Sequence, residues 1–101
     1  KDAREDADMP YIKQEDRAIL DPLIVNLGNG IKAVAEKYGY PGAFAGLLNY
    51  SCTCLALSLV TRRYWGIAII TGVFKNIADE FYRRYGVPYE DEQVKANGDV
   101  Y

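Results

Sequence analysis

At 101 residues the chain has room for one small domain, and half of its residues are hydrophobic. Its 12 basic and 14 acidic residues come close to balance. A nucleic-acid binder of this size is expected to show a basic excess or stripe; this chain shows neither, so no nucleic-acid partner is expected.

The first eight residues, KDAREDAD, are charged and featureless. Met9-Pro10 reads as the natural start, so residues 1–8 are expected to be a cloning or reading-frame remnant ahead of a single helical domain over 9–101. Residues 1–8 hold two basic and four acidic side chains, which leaves ten of each in 9–101 and a net charge of zero. A net charge near zero favours self-association. A chain of this size also buries only about two-thirds of its unfolded surface, which leaves apolar area for a partner or a second copy.

The first helix is expected over about 17–38. Asp16 or Asp21 can cap its start, and Asp21-Pro22 places proline in a first turn. Leu20, Ile24, Leu27, Ile31, Val34 and Tyr38 follow at steps of three and four, one apolar face. Gly28-Asn29-Gly30 is a point where the helix is expected to kink or break. It lacks the Lys-Ser/Thr of a phosphate-binding loop. Tyr38-Gly39-Tyr40-Pro41-Gly42 is the stop and turn.

The second helix is expected over about 44–63, on Phe44, Leu47, Leu48, Cys52, Leu55 and Leu59. Pro41 to Thr61 contains no charged residue and matches a bilayer span in length. Asn49, Ser51, Thr53, Ser58 and Thr61 recur through it, and the next apolar run, Tyr64 to Phe74, is too short to return. The segment therefore reads as a helix buried by its neighbours or in an oligomer interface, and no membrane partner is expected. Cys52 and Cys54, two apart, cannot staple a distant loop, so the chain reads as cytoplasmic, with the two thiols packed as small hydrophobes.

The third helix, about 66–85, is the clearest. Ile67, Ile70, Phe74, Ile77 and Phe81 step 3, 4, 3, 4, the seam of a coiled coil, with Lys75, Asp79, Arg83 and Arg84 off it. Tyr85-Gly86 is expected to end it, and Pro88 to prevent its continuation. Arg62-Arg63 and Arg83-Arg84 would then close the second and third helices, where cations suit the negative end of the dipole. Two other uses are open to them: an anion site, or docking of Glu90–Glu92 from this chain or a copy.

Beyond Gly86 lies an extension, 88–101, expected to be an ordered, docked strap. Tyr89 is expected in extended backbone after Pro88. Asn97-Gly98 signals a turn that folds back Asp99, Val100 and Tyr101. Tyrosines join a ring to bury with a hydroxyl to pair; Tyr82 and Tyr85, three apart, are expected roughly on one face. The candidate interaction surface is therefore Tyr82, Arg83, Arg84, Tyr89, Glu90, Asp91, Asn97, Asp99 and Tyr101.

With no histidine anywhere, the usual nucleophile-and-base schemes are excluded. Glu36, Asp79, Glu80, Glu90, Asp91 and Asp99 are the carboxylates a metal-dependent nucleotide hydrolase would draw on, yet no predicted helix carries two at the required spacing. No catalytic residue, metal ligand or cofactor is assigned.

Several segments together resemble an uncharacterised family of small bacterial and bacteriophage proteins that begin MPYI and end NGDVY. They are Met9-Pro10-Tyr11-Ile12, Leu48-Asn49-Tyr50, Gly72-Val73, Glu80, Tyr82-Arg83-Arg84, Pro88-Tyr89-Glu90-Asp91 and Asn97-Gly98-Asp99-Val100-Tyr101. The likeness spans 9–101 and is dense over the last thirty residues. It implies a helical fold and Met9 as the start, and brings no assigned activity. Where that family has an acidic residue soon after Gly-Val, this chain has Phe74-Lys75. The reading is an all-α protein of three main helices and an extension. Its expected role is that of a non-enzymatic, self-associating accessory protein of phage type, a homo-oligomer with a further protein partner open to it.

Overall fold

A computed structural model describes residues 12–101, so the expected remnant and the start at Met9 lie outside the described residues. The fold is all-α, with no strand among the described residues. It divides into two units, one up to Thr53 and one from Cys54 onward.

In the first unit, helix α1 runs Gln14–Tyr38, beginning three residues before the expected start. Asp16 and Asp21 do not cap it. The N-cap is Lys13, with no side-chain cap, and Asp16 sits in the first turn with Glu15, at the positive end of the dipole. Pro22 lies inside the helix, and Gly28-Asn29-Gly30 is helical throughout, so the expected break is absent. The stop falls where the sequence places it: Gly39 takes φ 68°, and its N–H donates to the Ala35 carbonyl. Tyr38 and Tyr40 meet edge-on across that turn, ring centres 6.4 Å apart.

Helix α2 runs Phe44–Leu59 and crosses from the first unit into the second. It ends four residues earlier than expected. Val60 N–H makes the last helical bond, to Ala56 O, and Arg63 N–H turns back on Thr61 O at 2.7 Å. Of the two expectations for this helix, burial by its neighbours is not met, since within the single chain no residue of α2 is buried. Cys52 is half-buried, Cys54 is exposed, and both are free thiols.

In the second unit, α3 runs Tyr64–Phe81 and carries the predicted seam. It does not end at Gly86. A single π turn, Tyr82–Gly86, leads directly into helix α4, Val87–Asn97, making one continuous rod. Pro88 therefore sits in a helix, and Tyr89 is helical rather than extended. The reason is local. Proline lacks an N–H and crowds the carbonyl four residues back. In the π turn Val87 N–H reaches five residues back to Tyr82 O, which widens the backbone just ahead of the ring. At the far end Gly98, φ 85°, closes α4 with its N–H on Val94 O, and residues 99–101 follow as an extension.

Neither unit encloses a core among the described residues. Among the described residues only Ala43 and Gly66 are buried.

Candidate interaction surface

The predicted surface residues fall into three places. Tyr82, Arg83 and Arg84 form the π turn, Tyr89, Glu90, Asp91 and Asn97 lie on α4, and Asp99 and Tyr101 lie in the extension. The rod brings some together. Tyr82 OH donates to Glu90 Oε1, eight residues on, along the helix surface. Its ring passes over Gly86 so closely that a Cβ there would lie 2.6 Å from Tyr82 Cδ1. The hydrogen bond from Tyr82 to Glu90 keeps the phenol protonated, above its ordinary 10.0.

Arg83 and Arg84 do not close a helix against its dipole, since the rod continues past them. Both grip Glu80 instead. Arg83 Nη2 donates to Oε1 and Oε2 at 2.9 and 2.7 Å, and Arg84 Nε to Oε2 at 2.8 Å. Those bonds, Arg83's first, hold the Glu80 carboxyl below its ordinary 4.5. Glu80 is the residue the surface prediction missed; its spacing of three and four from the two arginines was the available signal.

Tyr82 and Tyr85 do not share a face. Tyr85 stacks on Phe81, ring centres 5.7 Å apart and 9° from parallel, while Tyr82 runs to Glu90. The π turn explains the split. Each helical residue subtends about 100°, so one surplus residue turns everything beyond it by that angle. In an unbroken α-helix the seam would pass from Phe81 to Arg84 and Pro88. With the surplus residue it passes to Tyr85 and Tyr89.

Asn97, Asp99 and Tyr101 stand apart from this cluster. Asn97 Nδ2 donates to Gln93 Oε1 at 3.1 Å, Tyr101 N–H donates to Asp99 Oδ1 at 2.9 Å, and Val100 and Tyr101 are exposed.

Arg62-Arg63 also sits elsewhere than expected. It does not close α2; Arg63 is the N-cap of α3, at the positive end of that helix. Among the described residues neither arginine holds a carboxylate, and no three of His, Cys, Asp and Glu converge as metal ligands. In the first unit, an open, mostly apolar cleft is lined by Ile31, Ala35, Tyr40, Phe44 and Leu48, with Lys32 and Glu36 also in its lining. Helix α1 is long and apolar enough, by length and composition alone, to cross a membrane. Its uncharged runs are broken by Asp21 and Lys32.

The family model of a domain of unknown function (DUF6899) matches residues 9–100. Comparison with curated proteins and with solved structures gave no match.

Proposed function

We propose that this chain, which belongs to the DUF6899 family of domains of unknown function, is a non-enzymatic helical protein that works by associating with copies of itself. One observation carries the reading: the seam of α3 is uncovered. Ile67 is 55% exposed, Phe74 37%, Ile77 52% and Phe81 63%, with Ile70 between them half-buried. Contiguous apolar surface on a soluble chain marks an interaction site. Fully burying such a side chain contributes about 1.5–3 kcal/mol, so covering the exposed half of four seam residues contributes about 3–6 kcal/mol per protomer. Two protomers then offset an association cost of about 4–15 kcal/mol over much of its range.

The rival readings have less support. A metal-dependent nucleotide hydrolase would need Glu80 open to a cation, and two guanidinium groups occupy it. A small-anion binder at Arg83-Arg84 meets the same obstacle from the other side. In α1, Asp21 and Lys32 lie on either side of the middle of the helix, and each opposes insertion by up to about 2.5–3.5 kcal/mol, the cost of a charge at a bilayer centre, which favours a protein partner over a lipid one. The likeness of the terminal segments to bacterial and bacteriophage proteins supports an accessory role in that setting, in the cytoplasm, with the extension 99–101 exposed to a neighbouring copy.

Sedimentation equilibrium tests the proposal. The wild-type chain is expected to be oligomeric at high micromolar concentration, and Ile77→Asp to be monomeric. A strictly monomeric wild type would refute it.

A further inference from the structure

The observations on the rod point to more than association. We infer that two copies pair through the α3–α4 rod in antiparallel orientation, with Arg62-Arg63 of one copy on Glu90-Asp91-Glu92 of the other. This rests on the self-association proposed above and adds its orientation and register.

The seam supplies the register. An antiparallel pair must read the same outward from its centre in both directions. The step Phe74–Ile77 faces its own reverse, so Phe74 of each copy meets Ile77 of the other. Outward from that centre the chain reads 70, 67, 63 on one side and 81, 85, 89 on the other. Ile70 therefore meets Phe81, Ile67 meets Tyr85, and Arg63 meets Tyr89. The two sides match because the step from Phe81 to Tyr85 contains the surplus residue of the π turn. Without it Ile67 would face Arg84 and Arg63 would face Pro88. With it every facing position is apolar or aromatic until the last. There a guanidinium meets a tyrosine face, a favourable cation–π arrangement.

Charge supplies the orientation. In this register the Arg62-Arg63 end of α3, where the chain enters the helix, comes level with Glu90, with Asp91 and Glu92 one turn or less away. The acidic group cannot reach Arg63 within one copy, since 27 residues of helix separate Arg63 from Glu90 by about 40 Å. Arg63 caps the positive end of α3 with no carboxylate partner among the described residues, an unfavourable place for a cation and a favourable one for an incoming anion. A parallel pair would set arginine against arginine and carboxylate against carboxylate. Such like-charge contact disfavours a pairing.

The test uses full-length chain at low salt. Arg62→Glu/Arg63→Glu and Asp91→Arg/Glu92→Arg each put like charges at both ends of an antiparallel pair. Each is expected to raise the dissociation constant about tenfold or more, an effect that shrinks as salt is added. An equimolar mixture of the two variants, and the chain carrying all four substitutions, are expected to recover wild-type association. A parallel pair gains like charges from neither change, so variants that associate as tightly as wild type would overturn the orientation and leave self-association standing. A monomeric wild type would remove the reading beneath both. A second measurement does not depend on the reversals folding. In the conservative Arg63→Lys chain, carbodiimide is expected to couple position 63 to Glu90 or Asp91, between isotopically light and heavy copies. Associated Arg63→Lys chains that yield no such inter-copy coupling would overturn the proposal.

Discussion

Glycine to alanine inside a helix ordinarily stabilises, by about 0.5–1 kcal/mol, because alanine loses less backbone freedom on folding. Helix α3 holds two glycines that separate this general effect from a local one. Around Gly72 a Cβ would meet nothing within 4 Å. At Gly66 it would lie 2.4 Å from Thr61 O and 3.3 Å from Thr61 C and Cβ. Ordinary contact begins near 3.4 Å, so the obstacle must withdraw by roughly 1 Å. It is backbone, and it is already committed: Thr61 O accepts Arg63 N–H at 2.7 Å in the turn that starts the helix. Forcing an extra carbon into a filled site costs about 1–3 kcal/mol. After the propensity gain is subtracted, Gly66→Ala is expected to lose about 1–2 kcal/mol while Gly72→Ala gains up to about 1 kcal/mol. With about 4–8 °C per kcal/mol for a chain of this size, the two melting temperatures should move in opposite directions and stand apart by roughly 10 °C. The assay is thermal unfolding by far-UV circular dichroism at one fixed protomer concentration, since association couples stability to concentration. A Gly66→Ala chain as stable as Gly72→Ala would show that the turn yields freely and that the reasoning from contact distance is wrong.

The clasp on Glu80 makes a prediction at acid pH. A carboxyl held below its ordinary 4.5 in the folded state contributes above about that pH and loses its contribution as pH falls through the lowered value. Glu80→Gln is expected to remove that part of the acid loss of helicity, read by circular dichroism. Tyr82 does the opposite: its phenol is held above 10.0, so its contribution is full below that pH and fades as pH rises through the raised value. Nuclear magnetic resonance of ring-labelled tyrosine is expected to place its titration above 10.0 and to bring it down in Glu90→Ala. Gly39 sits at φ 68°, and alanine there is expected to cost about 1–2 kcal/mol, lowering the melting temperature of Gly39→Ala.

What the sequence discloses here follows from how local each cause is. The end of α1 was legible because a left-handed stop needs a glycine and Gly39 stands after the last apolar step. The seam of α3 was legible because its 3-4-3-4 spacing belongs to one helix and needs no partner to be seen. The fate of Pro88 was not legible. Taken alone a proline ends a helix, and its accommodation depends on a five-residue hydrogen bond made by the residues before it. Arg62-Arg63 reads as the end of the second helix because Val60 and Thr61 give no strong stop signal, although α2 ends at Leu59. The neighbourhood of Tyr82 inherits that difficulty: its bond to Glu90 appears only once the register beyond the π turn is known. Exposure of most of the large apolar residues was the furthest from reach, since hydropathy identifies residues that avoid water and leaves open which molecule covers them.

The π turn also bears on how relatives of this chain are compared. Between Phe81 and Val87 the number of residues works as an angular setting: one fewer would swing Tyr89, Glu90 and everything after them by more than a quarter turn around the rod. A one-residue gap at that point in another family member is therefore a change in which side chains look outward, though the composition on either side stays the same. Two relatives with identical tails but unequal spacing there would present different faces to the same neighbour.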